Sequence, residues 1–153
     1  VDGNGCDTRN DVLARDLVDE RLDADGCVVL AGTLLDPYTG TTIPFVRGPD
    51  SADVQIDHVV ALDDAWRTGA QAWPAARRLA LANDPANLLA VDGRANQDKG
   101  AGDASQWLPP QTGFRCVYVM RQLRVKAAYG LWLTPDEHAA VAAALDRCVV
   151  ARQ

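Results

Sequence analysis

Two short stretches of the sequence carry the residue types that hydrolysis of a phosphodiester bond requires. The first ends an apolar run with the pair Asp57-His58. The second begins with Asn87, crosses another apolar run, and delivers Asn96 and Lys99. Such hydrolysis needs a base for the attacking water, positive charge near the phosphoryl oxygens, and stabilisation of the leaving oxygen. Together the two stretches offer a base, oxygen ligands for a hard metal ion, and a cation.

The chain has two histidines, and they lie in very different settings. His58 lies beside an acid at the end of an apolar run, whereas His138 lies in a polar stretch where a surface position on a helix is expected. This difference argues against a histidine-rich zinc site. An Asp-His pair alone more often marks a structural histidine, so the asparagines and the lysine downstream are what favour catalysis.

The elements that must position these residues alternate between strands and helices. Apolar residues recur at helical spacing from Thr8 to about Leu22, and β-branched runs and turn residues in 27–45 favour a hairpin. Further along, the pattern predicts a strand at 52–60, helices at 62–66 and 75–81, a strand at 88–91, a helix at 93–99, and two longer helices. We expect one α+β domain over 1–153, with a core motif at about 52–110 and a helical pair at about 111–152.

A geometric requirement follows for the Asp57-His58 pair. Neighbouring residues of a regular strand point to opposite faces, yet both side chains must serve one site. The sequence therefore predicts that the strand is bulged or ends at this pair. A straight, fully paired strand through both residues would count against the mechanism.

The charge distribution bears on the partner. The net charge is -6, but residues 67–126 carry 9 basic and 4 acidic side chains, against 4 and 14 in residues 1–66. A local cationic face can bind phosphate on an acidic molecule, because charges beyond about 8 Å are screened at physiological salt. The basic residues of this block are Arg67, Arg77, Arg78, Arg94, Lys99, Arg115, Arg121, Arg124 and Lys126. Any one of them could equally belong to a solvated helix face.

The four cysteines form no CxxC motif, which fits two disulfides better than a zinc site. Cys6 and Cys27 flank the first helix, and Cys116 and Cys148 lie on two later helices, so we favour these pairs among the three arrangements. Free buried thiols in a cytosolic protein are the alternative. Since Val1 is not a methionine, we expect a mature or trimmed chain. Separately, we expect a secreted monomer, with the two disulfides fitting an extracellular protein. No apolar run has the length of a membrane helix.

Asp57-His58, Asn87, Asn96 and Lys99 resemble the pattern of the HNH (ββα-metal) nucleases. The wider sequence is similar to secreted HNH nucleases of actinobacteria and to the HNH domain that ends GmrSD-type modification-dependent restriction enzymes. This resemblance is carried by residues 5–13, 56–62, 65–66, 69–70, 83–85, 87–89 and 107–110. Two features depart from the common pattern: there is no third histidine, and a helical insert separates the Asp-His pair from Asn87.

The resemblance implies a ββα-metal core with additional N-terminal and C-terminal helices and a small hairpin. It also implies a role for each site residue: His58 as general base, Asp57 and Asn96 as ligands of one divalent ion, Asn87 as the residue that fixes the strand connection and orients His58, and Lys99 or Arg94 as the phosphate-neutralising cation. The implied ion is Mg²⁺, with Mn²⁺ or Ca²⁺ as alternatives. The implied substrate is DNA, with RNA as an alternative, and the implied products end in 5′-phosphate and 3′-hydroxyl.

Two other functions compete with a nuclease. One is a disulfide-stapled extracellular binding module without catalysis, and the other is hydrolysis of small phosphodiesters, which would need a closed pocket. Serine hydrolysis can be set aside, because Ser51 and Ser105 are the only serines and neither lies in a nucleophile elbow.

Overall fold

The computed structural model describes residues 5–150, with side chains described as far as Cys148. Within this range the protein is mixed α+β, with six α-helices around two small antiparallel sheets. The α-helices are α1 (Thr8–Asp16), α2 (Leu62–Arg67), α3 (Ala75–Ala82), α4 (Gly93–Lys99), α5 (Arg115–Tyr129) and α6 (Pro135–Val150). The strands are β1 (Leu17–Leu22), β2 (Val29–Leu35), β3 (Thr42–Val46), β4 (Val54–His58) and β5 (Leu88–Asp92). The final residues of the predicted helical pair lie outside the described residues.

Helix α1 begins at its N-cap Asp7, whose carboxylate accepts a hydrogen bond from the backbone N–H of Asn10 at 2.8 Å. The prediction that this helix continues to Leu22 is wrong beyond Asp16. There the chain turns into β1, which pairs antiparallel with β2 from Leu17 onward. The apolar spacing of this segment is compatible with a helix and also with the start of a strand. Pairing with β2 gives its backbone N–H and C=O groups hydrogen-bond partners, and Leu17 is buried.

The predicted hairpin within residues 27–45 is confirmed as the antiparallel pair β2–β3. Position 32, inside β2, requires glycine because Leu17 packs against it: a Cβ there would lie 2.8 Å from Leu17 Cδ2. Asp36 organises the turn, with one carboxylate oxygen accepting from Thr39 N at 2.7 Å and the other from Asp92 N at 2.9 Å. The hairpin turn is thereby attached to the end of β5, and it carries Tyr38 toward the second sheet.

Strands β4 and β5 form a two-stranded layer that is covered on both faces. Val54, Leu88 and Ala90 pack against α1 and the three-stranded sheet. Leu89 and Val91 face the other way and pack with residues of α4, α5 and α6. Burial on both faces explains why the sequence of β5 is continuously apolar and does not alternate.

The disulfides Cys6–Cys27 and Cys116–Cys148 confirm the predicted pairing. The first joins the segment before α1 to the segment before β2, and the second joins α5 to α6. Each closes a loop of a size for which cross-linking typically stabilises a fold by about 2–4 kcal/mol. None of the helices in the described chain is long and apolar enough to cross a membrane.

Candidate active site

Helix α4 lies across the face of β4 that carries Gln55 and Asp57. Lys99 Nζ lies 2.7 and 2.6 Å from the two carboxylate oxygens of Asp57, and Asn96 Nδ2 donates to Gln55 Oε1 at 3.0 Å. Asn96 and Lys99, three residues apart, share one face of the helix, and Gln55 and Asp57, two residues apart, share one face of the strand. The two side chains of α4 can therefore each contact one side chain of β4. The structure thus pairs Lys99 with Asp57, and it places Asn96 on Gln55, the neighbour of Asp57 on the same strand face.

The close approach of α4 to β4 has a local cause in the sequence. Asp92 caps the helix by accepting from Ala95 N at 2.7 Å. Gly93 follows directly, and a Cβ at this position would lie 2.2 Å from the carbonyl oxygen of Ala52. Only glycine lets the first turn of α4 come this near to the segment before β4.

Asp57, Lys99 and Tyr38 form what we call the strand-end cluster. Asp57 is 5% exposed, and the Tyr38 hydroxyl donates to its Oδ2. Burial, and then the negative charge of Asp57, raise the pKa of Tyr38 well above its ordinary value, so the phenol keeps its proton for this bond. Burial lowers the pKa of Lys99, and the Asp57 carboxylate opposes that effect.

Lys99 does not occupy the solvated position that binding of an incoming phosphate would need. Its ammonium contacts Asp57 Oδ1, Asp57 Oδ2 and, at 2.6 Å, the carbonyl oxygen of His58, so three protons face three acceptors. Its side chain has no exposed surface. The implied role of Lys99 as a direct phosphate contact is therefore corrected: in this structure it neutralises Asp57.

His58 is the last residue of β4, as one form of the prediction required. The other form, a bulge, is absent from this ladder, because Asp57 pairs with Leu89 and His58 with Leu88 in regular register. The two side chains accordingly leave on opposite faces, and the His58 ring contacts the α3 side, where its Nε2 lies 2.8 Å from Ala82 O. The strand is therefore straight and fully paired through both residues, which counts against the mechanism as predicted from the sequence. Asp57 contacts Lys99 of α4, and His58 contacts Ala82 of α3.

The contact with Ala82 fixes the tautomer of His58. A carbonyl oxygen only accepts hydrogen bonds, so Nε2 carries the proton in this contact and the neutral ring has its lone pair on Nδ1. Nδ1 is the atom that could take a proton from water. The ring is half-buried, which leaves it partly open to solvent.

Asn87 ties the chain together just after His58. Its Oδ1 accepts from Val60 N at 2.8 Å, its Nδ2 donates to Val60 O at 3.1 Å, and its own carbonyl accepts from Val59 N at 2.8 Å. This fully buried amide holds the connection between β4 and β5. Asn87 thus holds the backbone beside His58, while the ring itself contacts Ala82; the orientation of His58 by Asn87 stays a prediction.

The side-chain oxygen atoms of Asp57 and Asn96 can be compared with the ligands that a divalent ion requires. Asp57 Oδ1 has Lys99 as its hydrogen-bond partner, and the Asn96 amide oxygen accepts no hydrogen bond from the described residues. One carboxylate and one amide oxygen are donors that suit a hard ion. The donor set fits such an ion in kind, although Lys99 already balances the charge of Asp57.

Comparison with known proteins identifies the family. The chain matches the C-terminal domain of GmrSD restriction endonucleases over residues 7–144. It belongs to that family. It is also 37% identical over 145 residues to an "uncharacterized secreted protein" of Arthroderma benhamiae, an alignment that covers 94% of this chain and 68% of that protein.

Membership of the GmrSD C-terminal domain family suggests a nuclease-like function, a nucleic-acid substrate and a divalent metal. The secreted relative and the two disulfides fit an extracellular location. The nuclease-like function thus comes from the family, and the disulfides agree with the secreted relative.

The cationic face of this GmrSD-family domain is smaller than the basic block suggested. Lys99 and Lys126 are buried against carboxylates. Arg121 donates to the carbonyl oxygens of residues 85, 86 and 88, and Arg115 donates to Pro109 O at 2.8 Å, so both also stabilise the fold. Arg94 and Arg124 are exposed on α4 and α5, and Arg94 shares its helix with Asn96.

A second group of buried charges lies between α2, α5 and α6, and we call it the interhelix cluster. Lys126 Nζ lies 2.9 Å from Asp64 Oδ2 and 2.6 Å from Glu137 Oε1. Asp103 completes the group, because ligand-type oxygens of all three acids lie within 4.8 Å of one another. The ammonium already supplies the cation of this cluster, so its contacts are those of an ion pair at a helix junction.

Sequence reasoning did not find Tyr38 or the interhelix cluster. Tyr38 follows Asp36-Pro37 in a stretch whose residues signal a turn, and nothing local shows that its hydroxyl reaches Asp57. Asp64, Asp103, Lys126 and Glu137 come from four separate segments. One signal in the sequence could have indicated a buried charge: Asp64 directly precedes Ala65, an apolar residue on the buried side of a short helix.

Proposed function

We propose that this protein is a secreted, metal-dependent endonuclease that hydrolyses phosphodiester bonds of nucleic acid, with DNA the expected substrate and RNA an alternative. The observation that carries the proposal is the hydrogen bond between His58 Nε2 and Ala82 O. It leaves Nδ1 of a half-buried imidazole as a proton acceptor at the end of β4. The Asp57 carboxylate precedes it on the opposite face of the strand, where α4 packs. Membership of a nuclease family supports the same reaction class.

In the proposed mechanism, β4, β5 and α4 serve as the ββα-metal unit. His58 Nδ1 takes a proton from the attacking water, and the Ala82 carbonyl stabilises the resulting imidazolium through Nε2–H. Asp57 and Asn96 would hold the divalent ion, Mg²⁺ in the first instance. When bound, that ion would supply positive charge to the phosphoryl oxygens and to the leaving 3′ oxygen.

The other site residues act on these groups. Lys99 and Tyr38 fix both carboxylate oxygens of Asp57, so the carboxylate keeps one orientation. Asn87 holds the backbone after His58 in place. Arg94, exposed on the first turn of α4, is the cation proposed to contact a phosphate. The products would end in 5′-phosphate and 3′-hydroxyl.

The test compares the two histidines of the chain. Supercoiled plasmid and single-stranded RNA are incubated with the wild type, His58→Ala and His138→Ala, with Mg²⁺ or Mn²⁺ and with chelator. We expect His58→Ala to lower the cleavage rate by about 10²- to 10⁴-fold, because the general base is lost. His138 is exposed on α6, so His138→Ala should cut like the wild type.

Two results would contradict the proposal. One is equal cutting by wild type and His58→Ala, and the other is no cutting by wild type with either ion. The second result would favour the alternative of a binding module without catalysis. The observation on the side of that alternative is the pairing of Asp57 with Lys99, which gives the carboxylate a partner other than a metal.

A further inference from the structure

The helical insert between His58 and Asn87 leaves an apolar groove on the surface. The groove encloses about 630 Å³ between α2 and α3, and its lining includes Leu62, Trp66, Leu79 and Ala82. Leu62, Trp66 and Leu79 are 43%, 47% and 65% exposed. Large apolar side chains exposed together in this way are typical of a binding surface.

The groove adjoins the candidate catalytic residue. Ala82 lines it, and the carbonyl oxygen of the same residue holds His58 Nε2 at 2.8 Å. The groove and the imidazole therefore share Ala82 as a neighbour, although His58 itself does not line the groove. The insert thus adds a surface to the site in addition to lengthening the connection between the two strands.

The charges around the groove favour an anionic ligand. Arg67 and Arg77 are exposed and Arg78 lines the groove; each also donates to a backbone carbonyl oxygen, that of Ala101, Tyr129 and Trp73 respectively. Asp63, the exposed acid among residues 62–82, lies 3.5 Å from Arg67, and Asp64 is buried in its ion pair with Lys126, so the charge beside the groove is net positive. The Arg78 guanidinium carbon lies 5.4 Å from the centre of the Trp66 ring. An indole with one guanidinium nearby suits a flat aromatic group that is attached to phosphate.

We propose that this groove binds an unstacked nucleobase next to the scissile phosphate, with Trp66 as the stacking surface and the arginines contacting neighbouring phosphates. The inference rests on the proposed function in taking nucleic acid as the ligand. It goes beyond that function in assigning a subsite and a preference. Bases in a duplex are stacked on one another, so single-stranded or frayed substrates bind better than intact duplex.

The test measures binding in chelator, so that cleavage does not interfere. Fluorescein-labelled dT12 is compared, by fluorescence anisotropy, with a 12-residue oligonucleotide of abasic tetrahydrofuran units that carries the same phosphates. Trp66→Ala should weaken dT12 binding about tenfold and leave abasic binding unchanged, because only the stacking contact is removed. Trp66→Phe should restore most of the affinity.

Two further variants control the result. Leu79→Ser alters an exposed groove residue and should weaken dT12 binding about threefold without risk to the fold. Leu35→Ala removes an equally exposed apolar side chain from β2, away from the groove, and should have no effect on binding. Circular dichroism of each variant reports whether the fold is kept.

Three outcomes overturn the inference: no binding of dT12 by wild type, equal dT12 affinity in wild type and Trp66→Ala, or an equal loss of dT12 and abasic affinity in Trp66→Ala. Sedimentation of the same samples distinguishes another occupant. If the wild type is a dimer, and Trp66→Ala is a monomer with unchanged dT12 binding, the groove is a contact between two copies of the chain. Binding of dT12 through Trp66 without plasmid cleavage would leave this inference standing and defeat the proposed function.

Discussion

The strand-end cluster and the interhelix cluster both bury a lysine against carboxylates, but they balance charge differently. In the strand-end cluster one lysine meets one carboxylate, and Tyr38 adds a neutral donor. In the interhelix cluster one lysine serves Asp64 and Glu137, with Asp103 nearby. Burial raises the pKa of Glu137; the hydrogen bond from Lys126 opposes this shift, and the charges of Asp64 and Asp103 add to it.

The difference separates two uses of a buried ion pair. The strand-end cluster adjoins Asn96 and His58, which keep partial access to solvent, so its balanced charge can orient a carboxylate for chemistry. The interhelix cluster is closed among helices, and Glu137 has no exposed surface. Its lysine holds together elements that would otherwise repel each other. Each cluster should therefore respond differently to loss of its lysine.

The largest effect is expected from Lys126→Met. The substitution keeps the length of the side chain but leaves Asp64 and Glu137 buried without their cation. Breaking a buried ion pair in this way typically costs about 3–5 kcal/mol, and here two acids lose one partner, so we expect the upper end. Urea denaturation at neutral pH measures the change in the free energy of unfolding.

Arg124→Met is the matched control for Lys126→Met, because Arg124 is an exposed cation on the same helix. It should change the stability by less than about 0.5 kcal/mol. A Lys126→Met variant as stable as this control would show that the interhelix cluster is already neutralised by bound protons.

How far the sequence predicts these features depends on how local their causes are. Helices α2, α3 and α4 and strand β5 follow from apolar spacing and from Pro74, Gly93 and Gly100 at or near helix ends, and their predicted bounds agree with the structure to within a residue or so. The disulfide pairing was also predicted, because Cys6 and Cys27 flank the first helix, and Cys116 and Cys148 lie on two successive helices.

The unpredicted contacts join segments that are distant along the chain. Tyr38 reaches Asp57 from a hairpin turn, and Glu137 reaches Lys126 from the next helix. Strand β1 was missed for another reason: Leu13 and Leu17 fit a helical stripe, and only pairing with β2 decides otherwise. Lys99 looked solvated because its neighbours in sequence are polar, whereas packing of α4 on β4 buries it.

A smaller effect is expected from Lys99→Met. Asp57 would lose its ion pair but keep the Tyr38 hydroxyl, and a single acid can be neutralised by one proton, so we expect a loss of about 3 kcal/mol. The double variant Asp57→Asn/Lys99→Met should be more stable than Lys99→Met alone, because no unpaired charge is left. Urea denaturation of the wild type, both single variants and the double variant measures this coupling.

The outcome of that cycle bears directly on the comparison. Additive effects of Asp57→Asn and Lys99→Met would show that the ion pair contributes no coupling free energy, and the strand-end cluster would then not be a balanced pair. Plasmid cleavage by the same variants adds a second readout. Both single variants should lose activity, since an oriented Asp57 carboxylate is required in the proposed mechanism.

The smallest effect is expected in the pH dependence of Glu137→Gln. The pKa of Glu137 is raised above its ordinary value of 4.5, so the folded state holds this proton more tightly than the unfolded state. The associated stability is fully present below pH 4.5 and is lost as the pH rises through the folded-state pKa. Glutamine cannot titrate, so the variant should lose this fall in stability between pH 4.5 and neutrality, whatever its absolute stability.

Urea midpoints across this range measure the slope of stability against pH for Glu137→Gln. Asp136→Asn, which changes an exposed neighbour on α6, should retain the wild-type slope. If Glu137→Gln kept that slope as well, Glu137 would not be the group whose titration causes it.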